Sequence, residues 1–263
     1  MGYDFIKVEK KGHITIVTIN RPEVMNALHP PASLEMDAAF NDFAADPDAW
    51  IAILTGAGDK AFCAGNDLKW QAQHGGEALR EGMEKVKGGL GGITLRFDLF
   101  KPLIAAVNGL ALGGGFECAL ACDIIVAAEN ALFGLPEPTV GMIAGAGGVH
   151  YLPRAIPHHV AMGMLLTARR MPAQEALQAG LVNQVVPLDQ LMSAAAGWAD
   201  KILACSPLAI RATKEAALQG LTMPLSEAAR TRFPAQVALY ASEDFVEGPK
   251  AFAEKRKPQW KGR

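Results

Sequence analysis

Hydrophobic positions along this chain change period several times, and each change marks an element. Residues 13–19 (HITIVTI) alternate and are rich in β-branched side chains, which predicts a strand ended by Asn20-Arg21-Pro22. After Pro30-Pro31, Ser33–Ala45 repeats apolar residues at helical spacing, and Asp46-Pro47-Asp48 closes the helix. Trp50–Leu54 is a short apolar strand stopped by Thr55-Gly56-Ala57-Gly58. Leu103–Val107 is a buried strand ended by Asn108-Gly109. Gly113-Gly114-Gly115 follows, and Phe116–Ala121 starts a helix. Asp123–Ala128 and Ala131–Phe133 are further strands. Strand, turn, short helix and strand recur here, which predicts an α/β fold with a twisted sheet.

The pattern changes after Pro153. His158–Thr167 is helical, Met171-Pro172 opens a helix that Gly180 ends, and Val182–Val186 is the last strand. Helices then follow over Leu188–Ala204, Pro207–Leu218 (N-capped by Ser206), Pro224–Tyr240 and Val246–Lys257. The chain divides into a mixed core, residues 1–190, and a C-terminal helical region, residues 191–263. Residues 71–92 are dominated by Gln, His, Gly, Lys and Glu without a sustained apolar period. They read as a mobile or weakly helical connection.

Composition narrows the function. Twenty-five basic and 27 acidic residues give a net charge of −2. That balance makes no single-sign field, so neither nucleic acid nor an anionic membrane is expected as partner. The N-terminus has no apolar signal region, and Asn108, Glu117 and Asp123 interrupt the longest apolar stretch, so a cytoplasmic protein is expected. Four cysteines without a CxxC pair read as free thiols. No histidine has companions at ligand spacing, so no metal site is expected. The P-loop, HExxH and GxSxG patterns are absent.

Glycine is concentrated: of 27, seven lie between Gly75 and Gly92 and nine between Gly109 and Gly148. Gly113-Gly114-Gly115-Phe116-Glu117 joins a strand to a helix. It reads either as a tight packing turn with a solvated glutamate or as backbone N–H groups presented to a developing oxyanion beside a carboxylate. Glu137, after a proline turn in the same apolar region, supplies a second carboxylate. Phe62–Leu68 (FCAGNDL) follows another strand. It reads as a helix cap on Asp67 or as the second amide segment that a two-donor hole requires.

These pieces, with NRPEVMNAL (20–28), KPLIAAVNGLALGGGFE (101–117), CDIIVAAENALFGLPEPTVGMIAGAGG (122–148), MPAQEALQAGLVNQVV (171–186) and EGPKAFAEKRKP (247–258), resemble the enoyl-CoA hydratase/isomerase (crotonase) family over nearly the whole chain. The resemblance implies a Clp-protease-like spiral of ββα units with a C-terminal α-helical trimerisation region. It implies an acyl-CoA thioester substrate, with CoA as part of the substrate and no separate cofactor, and a homotrimer or dimer of trimers. It matches Glu117 and Glu137 to the catalytic glutamates of hydratases and Ala64 and Gly114 to the oxyanion hole. Ala27, Ala64, Gly65, Asn66, Asp67, Leu68 and Lys255 match positions along CoA. The implied activity is hydration of a 2,3-enoyl thioester or the reverse. Enoyl-CoA isomerisation and a non-catalytic CoA- or RNA-binding scaffold are the alternatives. Phe116 and the C-terminal EGPKAFAEKRKPQWKGR also resemble the carnitinyl-CoA dehydratase branch. Phe116 and Ala144 depart from the common hydratase pattern and are expected to reshape the acyl pocket.

Overall fold

Alternating strands sort their side chains into two apolar layers, and a ββα repeat winds the chain between them. The computed structural model describes residues 2–263. In chain order the core holds β1 (Ile6–Lys11), β2 (Ile14–Ile19), α1 (Pro30–Ala45), β3 (Ile51–Gly56), β4 (Ala61–Cys63), α2 (Leu68–Glu84), β5 (Leu103–Val107), β6 (Leu110–Leu112), α3 (Gly114–Leu120), β7 (Ile124–Ala128), β8 (Leu132–Gly134), α4 (Gly148–Ala155), α5 (His158–Thr167), β9 (Met171–Pro172), α6 (Ala173–Gln178) and β10 (Gln184–Val186). The helices α7 (Leu191–Leu203), α8 (Pro207–Gly220), α9 (Leu225–Ala228), α10 (Pro234–Tyr240) and α11 (Glu243–Ala253) follow.

One sheet has the order β1-β2-β3-β5-β7-β10 and is parallel except for the antiparallel β1–β2 pair. The other has the order β4-β6-β8-β9, with β4, β6 and β8 parallel. Each turn of the spiral therefore gives one strand to each sheet. In β5, Leu103, Ala105 and Val107 enter the main core with α1 and α3, while Ile104 and Ala106 face a second cluster closed by Leu191, Ala195 and Ala199 of α7. This period-two division follows from the pleat. It explains why these strands read as continuous apolar runs, since both faces are covered.

The structure adds β4, β6 and α4 to the elements read from sequence, makes Met171-Pro172 a strand, and departs from that reading elsewhere too. Of the two readings of residues 71–92, mobile or weakly helical, the helical one holds: α2 runs to Glu84, kinked at Gly75, and a compact turn follows. Asp37 of α1 holds that turn. Its Oδ1 accepts from Gly88 N–H at 2.9 Å and from the Arg96 guanidinium at 2.7 Å, with both side chains buried. The stretch 224–240 is two helices, α9 and α10, rather than one. β1, absent from the sequence reading, is an edge strand with only Ile6 buried. Among the described residues no helix is long and apolar enough to cross a membrane.

Breaking the Asp37–Arg96 pair leaves a buried charge unpaired. Asp37→Ala is expected to lower the unfolding free energy in urea by about 3–5 kcal/mol, whereas Lys11→Ala, at an exposed pair, changes it by less than about 1 kcal/mol.

Candidate active site

Because β4, β6 and β8 are adjacent and parallel, the segments that leave their C-terminal ends lie side by side. Such strand ends are where open α/β sheets gather ligand sites. Ala64–Asp67 leaves β4, Gly113–Gly115 leaves β6, and Leu135–Glu137 leaves β8. The Gly113 N–H donates to Gly134 O at 2.9 Å and ties the last two together. Gly113 has φ +52°, and a Cβ there would stand 2.9 Å from Glu137 Oε1, so the turn requires glycine and the carboxylate lies against it. Gly65 has φ +95°, and a Cβ there would come within 3.1 Å of the Gly114 nitrogen. The two amide segments therefore touch at Gly114.

Which amides are free follows from the backbone pairing. Ala64 N–H donates to Met25 O at 3.0 Å, so it is not a free donor. This corrects the expectation that Ala64 forms half of the oxyanion hole. Leu28 pairs with the same segment as a bridge: Leu28 N–H donates to Gly65 O and Asp67 N–H to Leu28 O, each at 2.7 Å. Asn66 N–H lies between those two bonds. Among the described residues neither it nor Gly114 N–H has an acceptor. Asn66 and Gly114 thus each present an unengaged amide, one from each segment.

Two carboxylates flank this turn. Glu117, in the first turn of α3, is only 2 % exposed, and its Oε1 accepts from Gly148 N–H at 2.8 Å. Burial pushes its pKa up to about 7, against the Gly148 and Ala146 N–H groups that favour the charged form, and the charge of Glu137 adds to the rise. Glu137 opens a short 3₁₀ turn and is half-buried. Burial raises its pKa as well, and its Oε2 is buried without a hydrogen-bond partner. Tyr151 OH donates to Thr94 O at 2.7 Å, joining α4 to the turn after α2, and the Tyr151 hydroxyl feels the charge of Glu117. Cys63, at the end of β4, is wholly buried and its thiol is pushed up to about 12, while burial carries Cys118 and Cys122 well above the usual thiol range.

The other sequence candidates separate. Ala27 is buried, with its carbonyl held by Arg21, and Leu68 is exposed at the start of α2. The Asp67 side chain turns inward: it caps α2 by accepting Trp70 N–H at 3.0 Å and pairs with Arg21 at 2.9 Å. Lys255 is exposed on the turn after α11, in the C-terminal helical region. Phe116 is wholly buried in the core against Phe133, ring centroids 5.3 Å apart, so it fills the core rather than lining a pocket. Ala144 is buried beside the Gly148 turn that holds Glu117. Arg21, Tyr151 and the Asn66 amide were not singled out from sequence. Arg21 lay inside NRPEVMNAL, but its partner is remote in the chain. Among the described residues no cluster of three or more His, Cys, Asp or Glu side chains is placed to hold a metal ion.

Comparison with known proteins shows the family. A family model described as enoyl-CoA hydratase/isomerase matches residues 9–263. The chain is 46 % identical over 258 residues to a carnitinyl-CoA dehydratase from Citrobacter koseri, covering 97 % of each. It is 45 % identical over 262 residues to one from Salmonella enteritidis, covering 98 % of each. Among solved structures, an enoyl-CoA hydratase from Bacillus anthracis superposes with a TM-score of 0.92 at 38 % identity, covering 99 % of this chain and 100 % of that one. One from Mycobacterium tuberculosis superposes with a TM-score of 0.90 at 40 % identity, covering 98 % and 99 %. With the spiral of ββα units and the match extending along nearly its whole length, the chain belongs to the enoyl-CoA hydratase/isomerase family.

Proposed function

We propose that this protein adds water across the 2,3 double bond of an enoyl-CoA thioester and catalyses the reverse dehydration. The observation that carries the reading is the buried Glu117 and the half-buried Glu137 beside two unengaged amides. The thioester oxygen accepts from Asn66 and Gly114 N–H. Glu117 takes a proton from water as its oxygen bonds to C3, and the electron pair moves onto the thioester oxygen as an enolate. Glu137 then gives its proton to C2 as the carbonyl reforms. Each hole donor contributes roughly 2.7–4 kcal/mol of transition-state stabilisation. CoA lies along Ala27 and Gly65–Leu68, with Lys255 toward its phosphates. Exposed Leu221, Leu225, Val246 and Phe252 of the C-terminal helices fit burial in a homotrimer. Isomerisation needs one carboxylate, and the pair supports hydration.

A second reading favours dehydration of a 3-hydroxyacyl-CoA such as carnitinyl-CoA. The names of the relatives at 45–46 % identity support it, and burial of Glu117 favours its protonated form, the one that protonates a leaving hydroxyl.

A product-resolved panel of enoyl-CoAs, 3-hydroxyacyl-CoAs and carnitinyl-CoA tests the reading. Interconversion of enoyl and 3-hydroxyacyl products is expected; a shifted double bond, or no turnover by folded protein, overturns it. Glu117→Gln and Glu137→Gln are each expected to lower kcat by about 10²-fold or more, and near-normal turnover in either removes that residue from its role. Glu117 also imposes a pH dependence on stability. Its folded pKa of about 7 lies above the ordinary 4.5, so folding favours the protonated form. That contribution is complete below about pH 4.5 and is lost as pH rises through 7. Relative to wild type, Glu117→Gln is therefore expected to gain about 3 kcal/mol between pH 4 and pH 8, read from urea unfolding at both.

A further inference from the structure

Arg21 is buried, and its backbone N–H and both terminal guanidinium nitrogens are engaged. Its backbone N–H donates to Asn26 Oδ1 at 3.0 Å. One guanidinium nitrogen donates to Ala27 O and the other to Asp67 Oδ2, the latter at 2.9 Å. The guanidinium also stands over the Phe5 ring, 5.7 Å from its centroid. Asp67 uses its second oxygen to cap α2 at Trp70. Burial acts to raise the Asp67 pKa, but the Trp70 N–H and Arg21 outweigh it and hold the carboxyl below the usual range. One planar cation thus spans Ala27 on one segment and Asp67 on the other. These residues flank the Leu28–Asn66 bridge, whose two 2.7 Å bonds bracket the Asn66 N–H.

We propose that Arg21 and Asp67 are positioning residues: their ion pair fixes the separation of residues 27–28 from 65–67, and so aims the Asn66 N–H at the thioester oxygen. This rests on the reading of Asn66 and Gly114 as the oxyanion-binding amides. The physical case is one of tolerance. A short bridge held by two backbone hydrogen bonds can pivot, whereas a forked guanidinium attached to both sides cannot. Misplacement by about 1 Å costs on the order of 10²-fold in rate. Lysine keeps the charge and loses the fork. Asn at 67 keeps the cap and loses the charge, because Asn and Asp cap helices equally well.

The test compares Arg21→Lys and Asp67→Asn with wild type in steady-state kinetics. A second readout uses bound 4-dimethylaminocinnamoyl-CoA, whose absorption moves to longer wavelength as its carbonyl is polarised. Urea unfolding confirms that each variant is folded at the assay temperature. The expected result is a fall in kcat of about 10–10²-fold, KM within about threefold of wild type, and loss of most of the spectral shift. A wild-type protein that binds the chromophore without shifting it overturns the amide hole and this proposal with it. A wild-type shift retained in full by both folded variants overturns the positioning role alone, leaving the hole in place. A fall in kcat with the full shift retained also overturns it, since the pair then supports the fold without aiming the amide.

Discussion

Parallel pairing of β4, β6 and β8 is the constraint on which the site depends. Parallel neighbours cannot be joined by a hairpin; each return requires a crossover. The chain makes these crossovers through the other sheet, so three segments distant in sequence end at the same edge. One brings the Ala64–Asp67 amides, one the Gly113–Gly115 turn, and one Glu137. Shifting any one strand by a residue would turn its side chains to the opposite layer. In β3, β5 and β7, the strands through which the crossovers run, that alternative is blocked by the alternating split of their side chains between two filled cores.

The site also carries a thermodynamic load. A carboxylate as buried as Glu117 opposes folding in its charged form. The fold answers with the Gly148 N–H at the start of α4, so α4 is coupled to ionisation of Glu117. Tyr151, on the same helix, reaches Thr94 in the turn that Asp37 and Arg96 hold against α1. A chain of directed polar contacts thus runs from the outer helix α1 to the neighbourhood of Glu117. One of its links, Gly88, sits in the segment whose composition suggested mobility. Its glycines allow a close fit between backbones, and the ion pair supplies the order that the apolar pattern lacks.

The legibility of the sequence followed from the range of the forces involved. Apolar strands, proline and glycine turns, and the caps at Asp67 and Ser206 are local, and the chain displays them directly. The two glutamates could be located because each follows a short strand and a glycine or proline turn. The helix α2 was legible only as weakly helical because it has no buried residue and so no apolar stripe. β1 escaped because an edge strand buries only one of its side chains. The identity of the free amide was not legible: it depends on Met25 and Leu28 pairing with residues 64–67, and no local pattern encodes which N–H such a pairing leaves over. Phe116 was misread for a related reason, since helical phase alone does not say which side of α3 faces the core.

The buried thiols acquire a meaning once the substrate is considered. An α,β-unsaturated thioester is an electrophile, and the species that attacks it is a thiolate rather than a thiol. Cys63 stands one residue before the amide segment, and Cys118 follows Glu117 directly. Burial disfavours the thiolate of both, so neither would offer a nucleophile to a conjugated acyl chain at the proposed site. Cys205, the exposed thiol, lies at the junction of α7 and α8. The same apolar packing that builds the core therefore shields the thiols beside the site from alkylation by the compound the protein is proposed to transform.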